Sequence, residues 1–90
     1  MYFMSINKFK TDADLSRINT VIAAHREWVK RQIAAGMIVQ AGKWGDGGGM
    51  IIIKAGTREE ADVIVNDDPL VQSGLIAFET AELHAAVAFK

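Results

Sequence analysis

The chain has 90 residues, of which half are hydrophobic and none is cysteine, with 11 acidic and 10 basic side chains giving a formal net charge of −1. Such a balance excludes a disordered tail, and the absence of a basic run leaves no electrostatic footprint for nucleic acid or an anionic membrane. Without cysteine there is no disulfide framework, thiol chemistry or Cys-based zinc site. One domain, residues 1–90, is expected, small enough that burial shared with a second copy would add to its stability. The opening MYFMSINKFK lacks a basic region followed by a long apolar stretch. No segment approaches the roughly 18 apolar residues of a membrane span. The expected location is cytoplasmic.

In chain order, Met1 to Phe9 alternates like a strand, with Tyr2, Met4 and Ile6 on one side and Phe3 and Ser5 on the other. Asp12 or Asp14 can cap the helix that follows, from about Leu15 to Ala35, and Gly36 sits where a left-handed cap ends it. Met37 to Lys43 is a second strand. The run GDGGG, residues 45–49, reads as a hairpin loop leading into a third strand, Met50 to Lys54. Thr57 followed by Glu60 is a capping-box pattern opening a second helix, whose Ala61, Ile64 and Val65 face inward and which Pro69 stops. Leu75 to about Thr80 is the last strand. The remainder, AELHAAVAFK, fits either an extension of that strand or a short helix.

The resulting order, βαββαβ, predicts an α+β, ferredoxin-like sandwich: a four-stranded antiparallel sheet with two helices on one face. Its strands are nevertheless apolar on both sides, Met50 and Ile52 against Ile51 and Ile53, Leu75 and Ala77 against Ile76 and Phe78. A half-exposed antiparallel sheet would alternate polar and apolar residues. The second face therefore calls for a cover, and the economical one is another copy of the same sheet, a two-fold homodimer.

The functional reading turns on His25. Leu15, Ile18, Ile22, Val29 and Ile33 form an apolar stripe at helical spacing, and His25 falls inside it, toward the edge shared by Val21 and Trp28. Arg26, Glu27, Lys30 and Arg31 lie on other sides. A histidine so placed is either a satisfied packing residue or a cavity residue that moves protons. Asn66-Asp67-Asp68-Pro69 is a turn by composition, but Pro69 pushes Asp68 into an extended conformation and turns its side chain away from that of Asp67. One of the two can point inward. A carboxylate that reached His25 would select its tautomer and stabilise its charged form.

Other features carry less chemistry. Gly48 and Gly49 in the hairpin can bring backbone amides to a ligand, and Trp28 and Trp44 can wall a pocket. The hairpin matches no nucleotide-binding loop, so no cofactor is expected. His84 has no companion, and with the histidines far apart no metal site is expected.

Three stretches together carry a family resemblance: AAHREWVKRQIAAGMIVQAGKW, GDGGGMIII and TREEADVIVNDDPLVQSGLIAFE, spanning about residues 23 to 80. They resemble the His-containing helix, glycine-rich third strand and Asp-Pro turn of the YCII-related (YciI-like) family. That resemblance implies a dimeric α+β barrel and an active site built from a histidine and an aspartate, which fall on His25 and Asp68, with Asp67 as a neighbour. Many members carry an arginine or other polar residue one turn before the histidine. Here that position is Ile22, so no anion clamp is expected there.

The expected function is cofactor-independent proton transfer by His25 and Asp68 on a small cyclic or aromatic molecule, by elimination or isomerisation. The alternative is a non-catalytic dimeric binding or accessory module in which the pair is structural. RNA binding on the open sheet fits the element order but not the strand GMIIIKA, which offers no aromatic stacking residue. A cavity touching both His25 and Asp68 would favour chemistry over structure.

Overall fold

The computed structural model describes residues 1–84. Alternation in the first segment produces β1 (Tyr2–Phe9), in which Phe3 and Ser5 are buried while Tyr2, Met4 and Ile6 are half-buried on the opposite face. Asp14, not Asp12, caps the next element: its carboxylate accepts the Ser16 amide at 3.0 Å and the Ser16 hydroxyl at 2.7 Å. It opens a 3₁₀ turn (Leu15–Arg17) that leads into α1 (Ile18–Ala34). Gly36 adopts φ +79°, the left-handed conformation expected of it, and the Met37 and Gly36 amides donate to the Gln32 and Ile33 carbonyls.

The strands β2 (Ile38–Trp44) and β3 (Gly48–Lys54) form the hairpin. Its loop is shorter than the sequence suggests, because Gly48 and Gly49 are already paired in β3, opposite Trp44 and Lys43. Gly45 alone in the turn takes a positive φ, +64°. Gly48 is required for a different reason. A Cβ there would run into the Asn7 carbonyl oxygen and stand 2.9 Å from that of Trp44.

Helix α2 (Arg58–Asn66) begins with the expected cap, the Thr57 hydroxyl accepting the Glu60 amide. It buries Ala61 and Val65, with Ile64 half-buried. Pro69 does not simply stop it. Helix α2 has already ended at Asn66, and Pro69 is the first residue of a further short helix, α3 (Pro69–Gln72), where its fixed φ and missing N–H are well suited. Four residues are too few to show helical periodicity, so α3 leaves no period in the sequence. The last strand, β4 (Ile76–Leu83), begins one residue later than expected and continues past Thr80. Of the ambiguous tail, residues 81–83 are strand; 85–90 lie outside the described residues.

The sheet is antiparallel in the order β2-β3-β1-β4, the ferredoxin-like arrangement expected. The helix side holds the core: Phe3, Ile38, Ile51 and Ile53 from the sheet, Trp28 from α1, Ala61 and Val65 from α2. The polar pair on that face, Ser5 and Thr80, is buried but satisfied by a mutual hydroxyl hydrogen bond of 3.1 Å. Register places Met4 opposite Ile52 and Ile6 opposite Met50 on the other face. None of α1, α2 and α3 packs there.

The seam of α1 differs from the stripe read in the sequence. Leu15 and Ile33 are exposed, at 56% and 49%. The inward residues are Ile18, Val21, Ile22, His25, Trp28, Val29 and Gln32, an arc centred on His25. This arc is rotated by roughly half of the 100° residue step from the expected stripe. Trp28, at 2% exposure the only fully buried residue of α1, sets the rotation because it has the largest area to bury.

Candidate active site

The site grows from the corner between α2 and α3. Pro69 disfavours a helical conformation at the residue before it, and Asp68 accordingly lies at φ −65°, ψ +124°, whereas Asp67 remains helical at φ −79°, ψ −14°. Adjacent carboxylates therefore leave the chain in different directions. Both reach α1. Asp68 Oδ1 accepts from His25 Nδ1 at 2.7 Å, and Asp67 Oδ2 accepts from Trp28 Nε1 at 2.9 Å. The sequence predicts that one of them points inward; the structure gives both a partner, on side chains three residues apart and so on one helix face.

Asp68 is 3% exposed, and the same Oδ1 also accepts the Leu70 amide at 2.9 Å as the cap of α3. Held by two donors, this carboxylate cannot swing away. Because an ionised carboxylate only accepts, the Nδ1 of His25 carries the proton and a neutral ring has its lone pair at Nε2. Nε2 makes no hydrogen bond among the described residues. The Trp28 ring lies beside the imidazole, centroids 6.2 Å apart and planes at 28°.

His25 borders a cavity of about 520 Å³ between α1 and the β2–β3 hairpin. Apolar walls come from Phe9, Ile22, Val29, Met50, Ile51 and Leu70; Gly48 and Gly49 form part of its strand side. Asp68 does not line it and stands behind the imidazole. The cavity thus touches one member of the pair, not both. Trp28 is outside it, a core residue whose indole N–H serves Asp67, and Trp44 lies outside it as well, 44% exposed beside a separate hollow with Lys8 and Phe9. His84 is exposed, with Nδ1 3.5 Å from Glu82 Oε2. Two lining residues had no signal in the sequence. Asn7 sits in a strand whose alternation gives no hint of ligand contact, and Lys43 reaches the cavity only because β2 pairs with β3.

Fold and site together define a ferredoxin-like α+β chain with a buried aspartate behind a cavity-facing histidine. The chain matches the YCII-related domain over residues 1–81 and belongs to that family. Among solved structures it is similar to 5-chloro-2-hydroxyhydroquinone dehydrochlorinase of Burkholderia phenoliruptrix in complex with 2,5-dihydroxybenzoquinone, with TM-score 0.74, 23% identity, and 93% of this chain and 94% of that one covered. It is also similar to a muconolactone isomerase, with TM-score 0.73, 18% identity, and coverage of 100% and 97%. An antibiotic biosynthesis monooxygenase aligns with TM-score 0.56 and 12% identity over 94% of this chain and 100% of that one. No curated protein sequence matches the chain. At these identities the solved structures establish a shared fold.

Proposed function

We propose that the protein is a cofactor-independent enzyme that moves a proton on a small cyclic or aromatic molecule, with His25 as base and Asp68 as the residue that positions it. One observation carries this reading. The imidazole of His25 is held at Nδ1 by a buried carboxylate and borders a cavity large enough for a ring compound. A purely structural histidine would be expected in closed packing on all sides.

The proposed step uses Nε2 to take a proton from a ring carbon or hydroxyl. The electron pair left behind forms a new double bond. In an elimination a leaving group departs with its own electron pair; in an isomerisation the imidazolium returns the proton at another ring atom. Asp68 stabilises the transient imidazolium without taking its proton. The similar structures include a dehydrochlorinase bound to a dihydroxybenzoquinone and a muconolactone isomerase, which supports ring compounds as the substrate class.

The same reading includes a homodimer formed through the open sheet faces. That face carries Met4, Ile6, Met50 and Ile52, and none of the three helices packs on it.

The test is turnover of a panel of hydroxylated quinols and unsaturated lactones, followed spectroscopically. Replacing His25→Gln should lower the rate by about 10²–10⁴-fold with the fold retained. Equal turnover in the wild type and in His25→Gln would remove His25 as the base. If no panel member turns over while several bind, the accessory-module reading replaces this one.

A further inference from the structure

The charge of the cavity differs in sign from that of the chain. Overall the formal net charge is −1, yet the ionisable residues lining the cavity besides His25 are Arg26, Lys30 and Lys43 against Asp46 alone. Arg26 and Lys30 are four residues apart on α1 and share one face. Lys43 approaches from the opposite wall: it pairs with Gly49 in β3, and Gly49 pairs with Asn7 in β1, so all three lie on the helix side of the sheet. Neither the Arg26 nor the Lys43 side chain has an ion pair or hydrogen bond among the described residues. The Glu27 contact of Lys30 is long, 3.4 Å, and solvent-exposed.

Asn7 completes the arrangement. Its side-chain amide lies over Gly49, where an added Cβ would stand 3.4 Å from Nδ2 and 3.5 Å from Oδ1. Absence of a side chain at Gly49 leaves this amide open to the cavity, and it makes no hydrogen bond among the described residues. Cations and an amide donor that converge on an apolar hollow raise its affinity for negative charge, because low-dielectric walls focus the field.

We propose that the cavity takes a ring compound bearing an anionic oxygen, held by Arg26 and Lys43 at the mouth and by the Asn7 amide on the floor. This rests on the cavity being the substrate site. Recognition falls one turn further along α1 than Ile22, the position at which the sequence suggested no clamp. The oxygen is a carboxylate or an ionised ring hydroxyl, and both offer the same acceptors to a guanidinium.

Two pairs of probes, each matched in ring and differing in charge, test the proposal. The first is 2,5-dihydroxybenzoate against 2,5-dihydroxybenzamide; the second is 2,5-dihydroxybenzoquinone, an acidic hydroxyl, against its neutral dimethyl ether. Affinities are read by NMR titration at low salt. In at least one pair the anion should bind about tenfold or more tightly than its neutral partner, and the pair showing this identifies carboxylate or hydroxyl. That advantage should shrink with added salt and vanish in a variant carrying Arg26→Gln and Lys43→Gln, both solvent-exposed changes whose fold is checked by thermal melting. Equal affinities within both pairs, no binding of either anion, or an undiminished preference in the double variant overturns the proposal. Binding is read without turnover, so the two readings fail separately. A charge preference survives if proton transfer by His25 is refuted, and the effect of His25→Gln on turnover survives if the preference is absent.

Discussion

Asp67 and Asp68 are chemically identical neighbours with different assignments, and the difference traces to one residue, Pro69. By holding Asp68 extended, the proline sends one carboxylate to His25 and leaves the other for Trp28. For Asp68→Asn this gives a specific expectation. An amide can present its N–H to Nδ1 and favour the tautomer with the proton at Nε2, so turnover should fall by up to about 10⁴-fold while binding of ring compounds persists. Unchanged turnover in Asp68→Asn would mean that the carboxylate does not position the base. Trp28→Phe tests the neighbouring contact. It removes the donor to Asp67 and leaves a void beside the imidazole, at a cost of roughly 1–3 kcal/mol, which denaturant titration resolves. The His25–Asp68 pair was legible through the family resemblance and the Asp-Pro turn, but the contact was not, because 43 residues separate its ends. Trp28 was misplaced for a related reason. Helical spacing tells that a tryptophan faces inward without telling whether it meets a cavity or the core.

The elements themselves were more legible, since each carries a local signal: alternation in β1, Gly36 after α1, Thr57 and Glu60 before α2. What escaped was α3, too short to show a period, and the true extent of the hairpin, where glycines suggested a loop although two of them pair in β3. Their absence of side chains serves close approach at Gly48 more than freedom of turning. Gly48→Ala is accordingly expected to destabilise by about 3 kcal/mol, because the methyl group meets backbone oxygens that no rotamer change can move. Near-native stability in that variant would show that the hairpin can shift away from β1. Asp14 supplies a pH effect at the start of α1. Hydrogen bonds from the Ser16 hydroxyl and amide hold its carboxyl below the usual 3.8. The carboxylate form is thus favoured in the folded state, so its contribution to stability is fully present above 3.8 and is lost as the pH falls through the lower folded value. Stability measured between about pH 5 and pH 2 should show a decrement in the wild type that is absent in Asp14→Asn, which keeps a capping oxygen but cannot titrate. Parallel pH profiles would remove this role.

At the scale of the whole molecule, the proposed dimer rests on the second face of the sheet. Tyr2, Met4, Ile6, Met50 and Ile52 lie together there, flanked by Leu83 and by Trp44, which is 44% exposed. The sequence revealed this face as an excess of apolar residues at positions that a solvated sheet would fill with polar ones. It could not reveal the occupant, because alternation reports burial without reporting the neighbour. A second copy would satisfy the requirement with self-complementary surfaces: each sheet would offer the other the same apolar area, and a two-fold axis through the faces would close the assembly at two chains. In the proposed dimer the α1 helices, packed on the opposite face of each sheet, would lie on the outer sides, and the route to His25 would stay open. Light scattering should accordingly give twice the chain mass at micromolar concentration. Met4→Lys places a charge at the centre of the proposed contact without touching the helix-side core, and it should yield a folded chain of single mass in which binding of ring compounds is retained. A compact monomer in the wild type, or an unchanged dimer in Met4→Lys, would move the interface away from this face.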